Sequence, residues 1–313
     1  MTLCAEMPEF LVPPPLRPGD LLAVVAPSGP VPRADVFRGL AWMRARYRIR
    51  ASARILSREG FLAGDDAARS GELSGALLDP EVKAIVAVRG GYGAMRVLHA
   101  FDTDTLARCP RWIVGFSDIT AFHAVAWMRN IASIHGPHVA SLGGAEPRVR
   151  ASWLAALERP LSPSWWRGLT VVHPGSGTGT VVGGNLTLLF SMAASGRLTI
   201  PRGALLVLED VSERPYRVDR MLTALGLAGH LERLAGIVVG GFDRCDPGPD
   251  GVRSLDVIAE RTKSLGIPVM AGAPFGHGER NEAFVLGLPA TMSGNTVSLA
   301  VTTGGASRSD EDS

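Results

Sequence analysis

Short apolar runs that stop at small or polar residues recur through the first half of this chain. Each run has the length of a strand buried on both faces, and a stretch with helical apolar spacing follows it. The runs are 21–26, 84–88 and 112–114, and the helical stretches are 34–47, 95–100 and 119–130. Strands that alternate with helices predict an α/β fold: a doubly wound parallel sheet with right-handed crossovers.

The carboxyl ends of parallel strands meet at one edge of a sheet, where ligands bind in such folds. The three apolar runs end at Pro27-Ser28-Gly29, at Arg89-Gly90-Gly91 and at Gly115-Phe116-Ser117. We therefore expect Ser28, Gly91 and Ser117 to face one crevice.

The composition changes near the middle of the chain, where 160–179 is rich in Pro, Ser, Gly and Trp. This composition is typical of a linker. We predict a first α/β domain over 1–165, a linker over 166–179, a smaller mixed α/β domain over 180–306 and a disordered tail over 307–313. In the second domain, strands are predicted at 204–208, 236–239 and 268–270, helices at 186–194, 218–225 and 255–265, and antiparallel strands at 283–288, 290–292 and 297–301.

Composition excludes several classes of protein. The net charge of the 313-residue chain is only +2, and its basic residues form no block, so nucleic-acid binding is not expected. The cysteines, Cys4, Cys109 and Cys245, lack the paired spacings of a metal site or a disulfide framework, which predicts a reducing compartment and no metal. No basic, apolar leader and no run of about 18 apolar residues is present, so a soluble cytoplasmic protein without a membrane partner is expected.

Ser117 stands where a strand ends and a helix begins. A tight turn at this place displays a side chain above the sheet edge, and the free N–H groups of the helix N-terminus can stabilise an oxyanion. An ordinary helix cap is the alternative for such a serine.

If Ser117 is a nucleophile, the glycine loop Arg89-Gly90-Gly91-Tyr92-Gly93 is the second wall of its site, and the N–H groups of Gly91 and Asp118 form the oxyanion hole. A plain turn is the alternative for that loop, because its spacing fits no phosphate-binding motif.

A serine nucleophile needs a base, and the base needs an orienting acid. Among seven histidines, His277 is the best candidate because glycines flank it on a loop between two predicted strands. His135 and His138 could lie near the same crevice, whereas His99, His123, His173 and His230 are expected to be structural or exposed. For the acid, Glu209 comes directly after an apolar strand, where a charge is costly. Helix capping by Asp210 or Glu213 is the alternative for this acidic segment.

Together these segments resemble the LD-carboxypeptidase family of serine peptidases, a group that also includes the microcin C immunity peptidases. The resemblance covers most of the chain. Its motifs are Leu16-Arg17-Pro18-Gly19-Asp20, Ala26-Pro27-Ser28, Phe61-Leu62-Ala63-Gly64, Arg89-Gly90-Gly91-Tyr92-Gly93-Ala94, Gly115-Phe116-Ser117-Asp118-Ile119-Thr120, His135-Gly136-Pro137, Gly183-Gly184-Asn185-Leu186, Leu208-Glu209-Asp210, Pro215-Tyr216-Arg217-Val218-Asp219-Arg220 and Gly276-His277-Gly278. One departure is Phe116, where the family usually has tyrosine.

The resemblance implies a Ser-His-Glu triad, and the matching positions are Ser117, His277 and Glu209. It implies a first domain like the class I glutamine amidotransferase layer, a site at the domain interface, a homodimer, and no cofactor. The implied substrate is a cytoplasmic murein tetrapeptide that loses its terminal D-alanine during cell-wall recycling. Arg89 or Arg280 could bind the substrate carboxylate.

Two alternatives accompany this interpretation. One is a microcin-type peptidase that hydrolyses an aminoacyl-nucleotide amide, for which Trp165 and Trp166 could stack on a base, although packing between the domains is the simpler role for this pair. The other is a binding protein of the same fold without enzymatic activity.

Overall fold

The computed structural model describes residues 9–98 and 103–300. The strands are β1 Leu21–Val25, β2 Arg48–Ala51, β3 Val82–Ala87, β4 Trp112–Gly115, β5 Ser133–His135, β6 Ser164–Trp166, β7 Thr170–His173, β8 Gly177–Asn185, β9 Leu205–Val211, β10 Gly236–Asp243, β11 Val269–Ala271, β12 Phe284–Leu286, β13 Pro289–Ser293 and β14 Thr296–Leu299. The helices are α1 Arg33–Arg44, α2 Asp66–Leu78, α3 Ala94–Val97, α4 Thr103–Arg108, α5 Thr120–Met128, α6 Val139–Leu142, α7 Pro147–Glu158, α8 Leu186–Ala194, α9 Pro215–Leu227 and α10 Ser254–Thr262.

The first sheet has the order β12-β5-β4-β3-β1-β2. Strands β1 to β5 are parallel, as the alternating apolar runs predict. The sixth strand is β12, which comes from near the end of the chain and pairs antiparallel with β5, Phe284 opposite His135. The α/β class is thus confirmed, and the sheet is mixed because a late segment closes its edge.

The second sheet has the order β6-β14-β13-β8-β9-β10-β11-β7. Its centre, from β8 to β11, is parallel. The outer strands are antiparallel, including the predicted pair β13 and β14. The long strand β8 joins both regions, because its first half pairs with β13 and its second half with β9.

The segment predicted as a linker, 166–179, is not a free connection. It contains β7, which pairs antiparallel with β11, and the first residues of β8. Trp166, at its start, is buried and pairs with β14. Gly168 lies between β6 and β7, Pro174, Gly175 and Ser176 lie between β7 and β8, and Gly177 and Gly179 belong to β8 itself. A composition typical of a linker therefore occurs here in short edge strands and their connections. The domain boundaries remain a prediction, and the tail 307–313, Cys4 and His99 lie outside the described residues.

Helix α5 lies between the two halves of the molecule. Its residues from Thr120 to Trp127 are all buried, which is the pattern of a helix with no solvent face. One apolar cluster joins Ile119 and Phe122 at this helix to Leu186 and Leu189 of α8. The turn at Ser117, which precedes α5, is therefore held by packing from both halves of the molecule.

In the described part of the chain, no helix is long and apolar enough to cross a bilayer.

Candidate active site

Ser117 follows β4 after one intervening residue, Phe116, and opens a one-turn 3₁₀ helix, Ser117–Ile119, that leads into α5. Its φ angle is 60°, a left-handed conformation that a residue other than glycine rarely adopts. Such a conformation costs about 1–3 kcal/mol and persists only where neighbouring contacts impose it. The predicted strand, turn and helix are all present, and the strained turn is a geometry that presents a side chain outward.

Ser117, His277 and Glu209 meet in one line of hydrogen bonds. The Ser117 Oγ lies 3.0 Å from His277 Nε2, and His277 Nδ1 lies 2.7 Å from Glu209 Oε2. With the ring proton on Nδ1, the histidine donates to the carboxylate and its Nε2 accepts from the serine hydroxyl. Because the three residues are far apart in sequence, only the fold brings them together.

Glu209, expected directly after a strand, lies within β9, which continues to Val211; it is fully buried, whereas the His277 side chain is 18% exposed. Burial raises the pKa of Glu209, and the hydrogen bond from His277 opposes that rise. The contact orients the imidazole ring, while the exposed edge of the ring can be reached from the crevice.

Asp210, next to Glu209, has a separate structural task. Its carboxylate accepts hydrogen bonds from the side chain of Asn185 (3.0 Å) and from the backbone and hydroxyl of Thr187 (2.9 Å each). It thereby stabilises the start of α8, and burial raises its pKa. Glu213, the other capping candidate, lies 3.5 Å from Arg217 in an ion pair. The acidic segment thus supplies both a structural acid and a partner for His277.

The ends of β1, β3 and β4 contact one another, and Ser28, which was expected to face a crevice, is fully buried. Gly29 N, after β1, donates to Gly90 O, after β3, at 3.1 Å. A Cβ atom at Gly90 would lie only 3.1 Å from Ser117 Cβ. The sequence analysis selects Gly91, whose φ is 108°, and not Gly90, which lies against Ser117. The pair of consecutive glycines is the sequence signal that could have identified both residues.

Asp118 ties the serine turn to the glycine loop. Its buried carboxylate accepts from Ala94 N at 2.7 Å, at the start of α3. Burial raises the pKa of this carboxyl, and the Ala94 bond counteracts the rise. The role of the Gly91 and Asp118 N–H groups as an oxyanion hole remains a prediction.

The two predicted carboxylate-binding arginines are exposed and already engaged. Arg89 donates to Pro30 O, and Arg280 lies 3.3 Å from Glu282. Glu282 also pairs with Arg148 at 2.7 Å. Within the described residues, neither guanidinium bonds to a triad residue.

Three buried histidines surround the serine turn. His123 lies 2.9 Å from both Gly115 O and Ser133 Oγ, and burial lowers its pKa to about 4. His138 Nε2 lies 3.0 Å from Phe116 O, and His135 stacks on Phe284. His173, expected to be structural or exposed, contacts Ala259 O at 2.8 Å. His123 is structural, as predicted, whereas the position of His138 against the turn was not foreseen in this detail.

Aromatic rings connect the two halves of the site. The Phe116 ring lies 4.8 Å from His277, between centroids. Trp166 packs on Phe275 and Phe284, which lie on either side of His277 in the sequence. Trp166 is thus buried in an apolar cluster of residues from the second half of the chain, while Trp165 is 47% exposed on the edge strand β6.

The contact between α5 and β8 depends on Gly184. A Cβ atom there would lie 2.6 Å from Thr120 Oγ1, and Thr120 Oγ1 accepts from Asn185 N at 3.0 Å. Gly184 has a φ of 141°, so the motif Gly183-Gly184-Asn185 serves close packing against the nucleophile helix.

The fold and the site together define a two-domain α/β protein in which a serine, a histidine and a glutamate meet between the domains. Residues 22–136 match the LD-carboxypeptidase N-terminal domain, and residues 178–292 match the LD-carboxypeptidase C-terminal domain. A putative carboxypeptidase of Synechocystis sp. is 37% identical over 93% of this chain and 97% of its own. The chain belongs to the LD-carboxypeptidase family, and its fold and relatives are those of a carboxypeptidase.

Further relatives carry more specific names. The murein tetrapeptide carboxypeptidase of Pseudomonas aeruginosa is 34% identical over 77% of this chain and 82% of its own. The crystal structure of muramoyltetrapeptide carboxypeptidase from Oxalobacter formigenes matches with a TM-score of 0.80 at 28% identity, over 89% of this chain and 97% of that one. A structure of MccF in complex with glutamyl sulfamoyl guanosine shares the fold, with a TM-score of 0.84 at 20% identity over 94% of this chain and 99% of that one.

Proposed function

We propose that this protein is a serine carboxypeptidase that releases the terminal D-alanine from murein tetrapeptides by hydrolysing the amide bond after an L-centre. The observation that carries the proposal is the continuous contact from Ser117 Oγ through His277 to Glu209, 3.0 and 2.7 Å long. The names of the Pseudomonas and Oxalobacter relatives support the choice of substrate.

In the proposed reaction, His277 Nε2 removes the hydroxyl proton of Ser117 while Oγ attacks the amide carbonyl carbon. The N–H groups of Gly91 and Asp118 stabilise the oxyanion, and Glu209 stabilises the imidazolium that forms. His277 then protonates the amine of the leaving D-alanine, and the peptide stays on Ser117 as an ester. A water molecule, deprotonated by His277, hydrolyses that ester and restores the serine.

The test is turnover of a murein tetrapeptide by the wild type and by Ser117→Ala. We expect the wild type to release D-alanine and kcat of the variant to fall by about four to six orders of magnitude, because nucleophile and base act as a unit. Full turnover by Ser117→Ala would exclude the mechanism.

The substrate carboxylate needs a cation, and Arg89 and Arg280 are the proposed sources. Charge reversal of the correct arginine should raise KM with a smaller effect on kcat, because binding of the free carboxylate is lost. Unchanged kinetics for both variants would remove both residues from the proposal.

The aminoacyl-nucleotide alternative relied on stacking by Trp165 and Trp166. Trp166 is buried between aromatic rings. Trp165 lies on β6, and three strands, β14, β13 and β8, lie between β6 and β9, the strand that contains Glu209. These two side chains therefore give that alternative no support. An aspartyl-adenylate mimic, assayed beside the tetrapeptide, separates the two substrates, and tight peptide binding without cleavage of either would indicate the binding protein.

The cellular setting belongs to the same proposal. A cytoplasmic enzyme of cell-wall recycling would meet its substrate as a small free peptide, and we expect fractionation to find the protein with the cytosol. The homodimer implied by the family stays a prediction that sedimentation equilibrium tests.

A further inference from the structure

The strained serine turn needs contacts that hold it. Ser117 has a φ of 60°, and the strand that precedes it ends at Gly115. Gly115 O accepts from Gly136 N (3.0 Å) and contacts His123 Nε2 (2.9 Å), which fixes the end of β4. These bonds stop two residues before Ser117. Within the turn, the Phe116 carbonyl accepts from Ile119 N at 3.2 Å, and its second lone pair is open to another partner.

That partner is His138. Its Nε2 lies 3.0 Å from Phe116 O and 3.4 Å from Phe116 N; in the tautomer that carries the ring proton on Nε2, the ring donates to the carbonyl. The His138 ring also stacks on the Phe116 ring, with centroids 4.3 Å apart and planes 27° apart. Thus one side chain contacts both the backbone and the side chain of the residue before the nucleophile.

His138 is itself held rigidly. Its carbonyl accepts from Ser141 N at the start of α6, and Ala140 N donates to Val88 O at the end of β3. A Cβ atom at Gly90 would lie 3.1 Å from His138 Cε1 and 3.1 Å from Ser117 Cβ, so the imidazole and the nucleophile contact the same glycine. The ring therefore fills the space between the glycine loop and Phe116.

The His138 ring keeps one protonation state around neutral pH, so its hydrogen-bond donor does not change there. The ring is 4% exposed, and burial lowers its pKa to about 3, with His277, Arg89 and His123 adding to the effect. At neutral pH the side chain is uncharged and donates one hydrogen bond.

We propose that His138 is a positioning residue: its hydrogen bond to the Phe116 carbonyl fixes the peptide that aims Ser117 Oγ at His277. The inference rests on the proposed role of Ser117 as nucleophile. Loss of this bond leaves the Phe116 carbonyl with the Ile119 N bond alone. The Phe116–Ser117 peptide is then less restrained, which lowers the fraction of molecules whose serine is ready to react. Substrate binding does not change, because His138 is buried behind the turn.

The experiment compares three variants with the wild type. His138→Phe keeps a flat ring for stacking but has no donor, His138→Gln keeps an N–H donor, and His230→Gln, half-buried beyond the end of α9, is the control. Each protein is assayed for tetrapeptide turnover and for the rate at which a fluorophosphonate probe labels Ser117, and its Tm is measured. We expect about a tenfold lower kcat and labelling rate for His138→Phe at unchanged KM, most of both rates retained by His138→Gln, and no change for His230→Gln.

Wild-type rates in His138→Phe would overturn the proposal. So would equal losses in His138→Phe and His138→Gln that follow their Tm values, because that result indicates a purely structural residue. If the wild type is labelled at Ser117 but does not cleave the tetrapeptide, the proposed substrate fails and the labelling rates still decide the role of His138. If Ser117 is not labelled at all, both the proposed nucleophile role of Ser117 and the proposed role of His138 are excluded.

Discussion

Glu209 combines a functional contact with an energetic cost at the scale of a single residue. Its carboxyl group is fully buried within β9, and its pKa is raised by that burial. The folded chain therefore holds the proton of Glu209 more tightly than the unfolded chain does. The stability from this difference is complete below the unfolded pKa of about 4.3 and is lost as the pH rises through the folded pKa.

Replacement of Glu209 by Gln removes the ionisation. We expect the difference in unfolding free energy between Glu209→Gln and the wild type to shift in favour of the variant from pH 4 to pH 8, as urea denaturation measures it. The substitution Glu209→Gln also lowers kcat by about three to four orders of magnitude, because His277 loses the acid that orients it. A difference that stays constant or moves toward the wild type would contradict the assigned pKa shift.

His123 makes the opposite contribution. Its pKa is about 4 in the folded chain because of burial, against an ordinary value near 6.5, so the unfolded chain binds the proton more readily. The stability that depends on neutral His123 is present above pH 6.5 and is lost as the pH falls toward 4. Compared with His123→Gln, the wild type should lose about 3 kcal/mol more unfolding free energy between pH 7 and pH 4. Chemical denaturation at both pH values checks this, and a constant difference would contradict it.

At the scale of elements, the connection from β4 to α5 determines where Ser117, the proposed nucleophile, lies. The helix is buried on all sides and packs against β8, where Gly184 allows the close approach of Thr120. A displacement of α5 by even part of an ångström moves Ser117 relative to His277, because the serine turn leads directly into the helix.

Gly184→Ala tests this packing. The added methyl group would lie 2.6 Å from Thr120 Oγ1, at a φ of 141° that alanine rarely adopts. We expect a loss of about 1–3 kcal/mol in unfolding free energy together with a lower kcat. Gly71→Ala is the matched control: Gly71 lies in α2 with open space around a new Cβ, and the change should stabilise the helix by about 0.5–1 kcal/mol. Equal stability and activity of the two variants would show that the contact of α5 with β8 does not matter.

At the scale of the whole molecule, the two halves are interlocked. Strand β12 crosses back to complete the first sheet, and the cluster around α5 and α8 belongs to both halves. His277 and β12 lie on the same late segment, so the strand that closes the first sheet also fixes the segment that carries the base.

A fragment of residues 1–165 tests the interlocking. It leaves the edge of β5 unpaired and exposes the face of α5 that packs on α8, and unpaired edges and apolar patches promote association. We expect the fragment to aggregate or to unfold without cooperativity, as size-exclusion chromatography and thermal circular dichroism report. A monomeric fragment with a sharp transition would show that the first domain folds independently.

Local pattern was enough for much of the fold. The apolar runs of β1, β3 and β4 are buried on both faces and could be recognised from composition alone. Ser117, Glu209 and His277 could be selected because each follows a strand or lies between glycines, and the family motifs then joined them. The strands β6 and β7 could not be recognised, because short edge strands resemble loops in composition.

The sequence by itself determined the alternation of strands and helices and the turn at Ser117, because these depend on neighbours within a few positions. The family motifs selected Ser117, His277 and Glu209, and the fold brings these distant residues into contact. Only the tertiary structure decided that β12 closes the first sheet, that Gly90 and His138 contact the Ser117 turn, and that Trp166 packs on Phe275. Those contacts join residues far apart in the chain. Their formation depends on how whole elements pack, which no local pattern of side chains encodes.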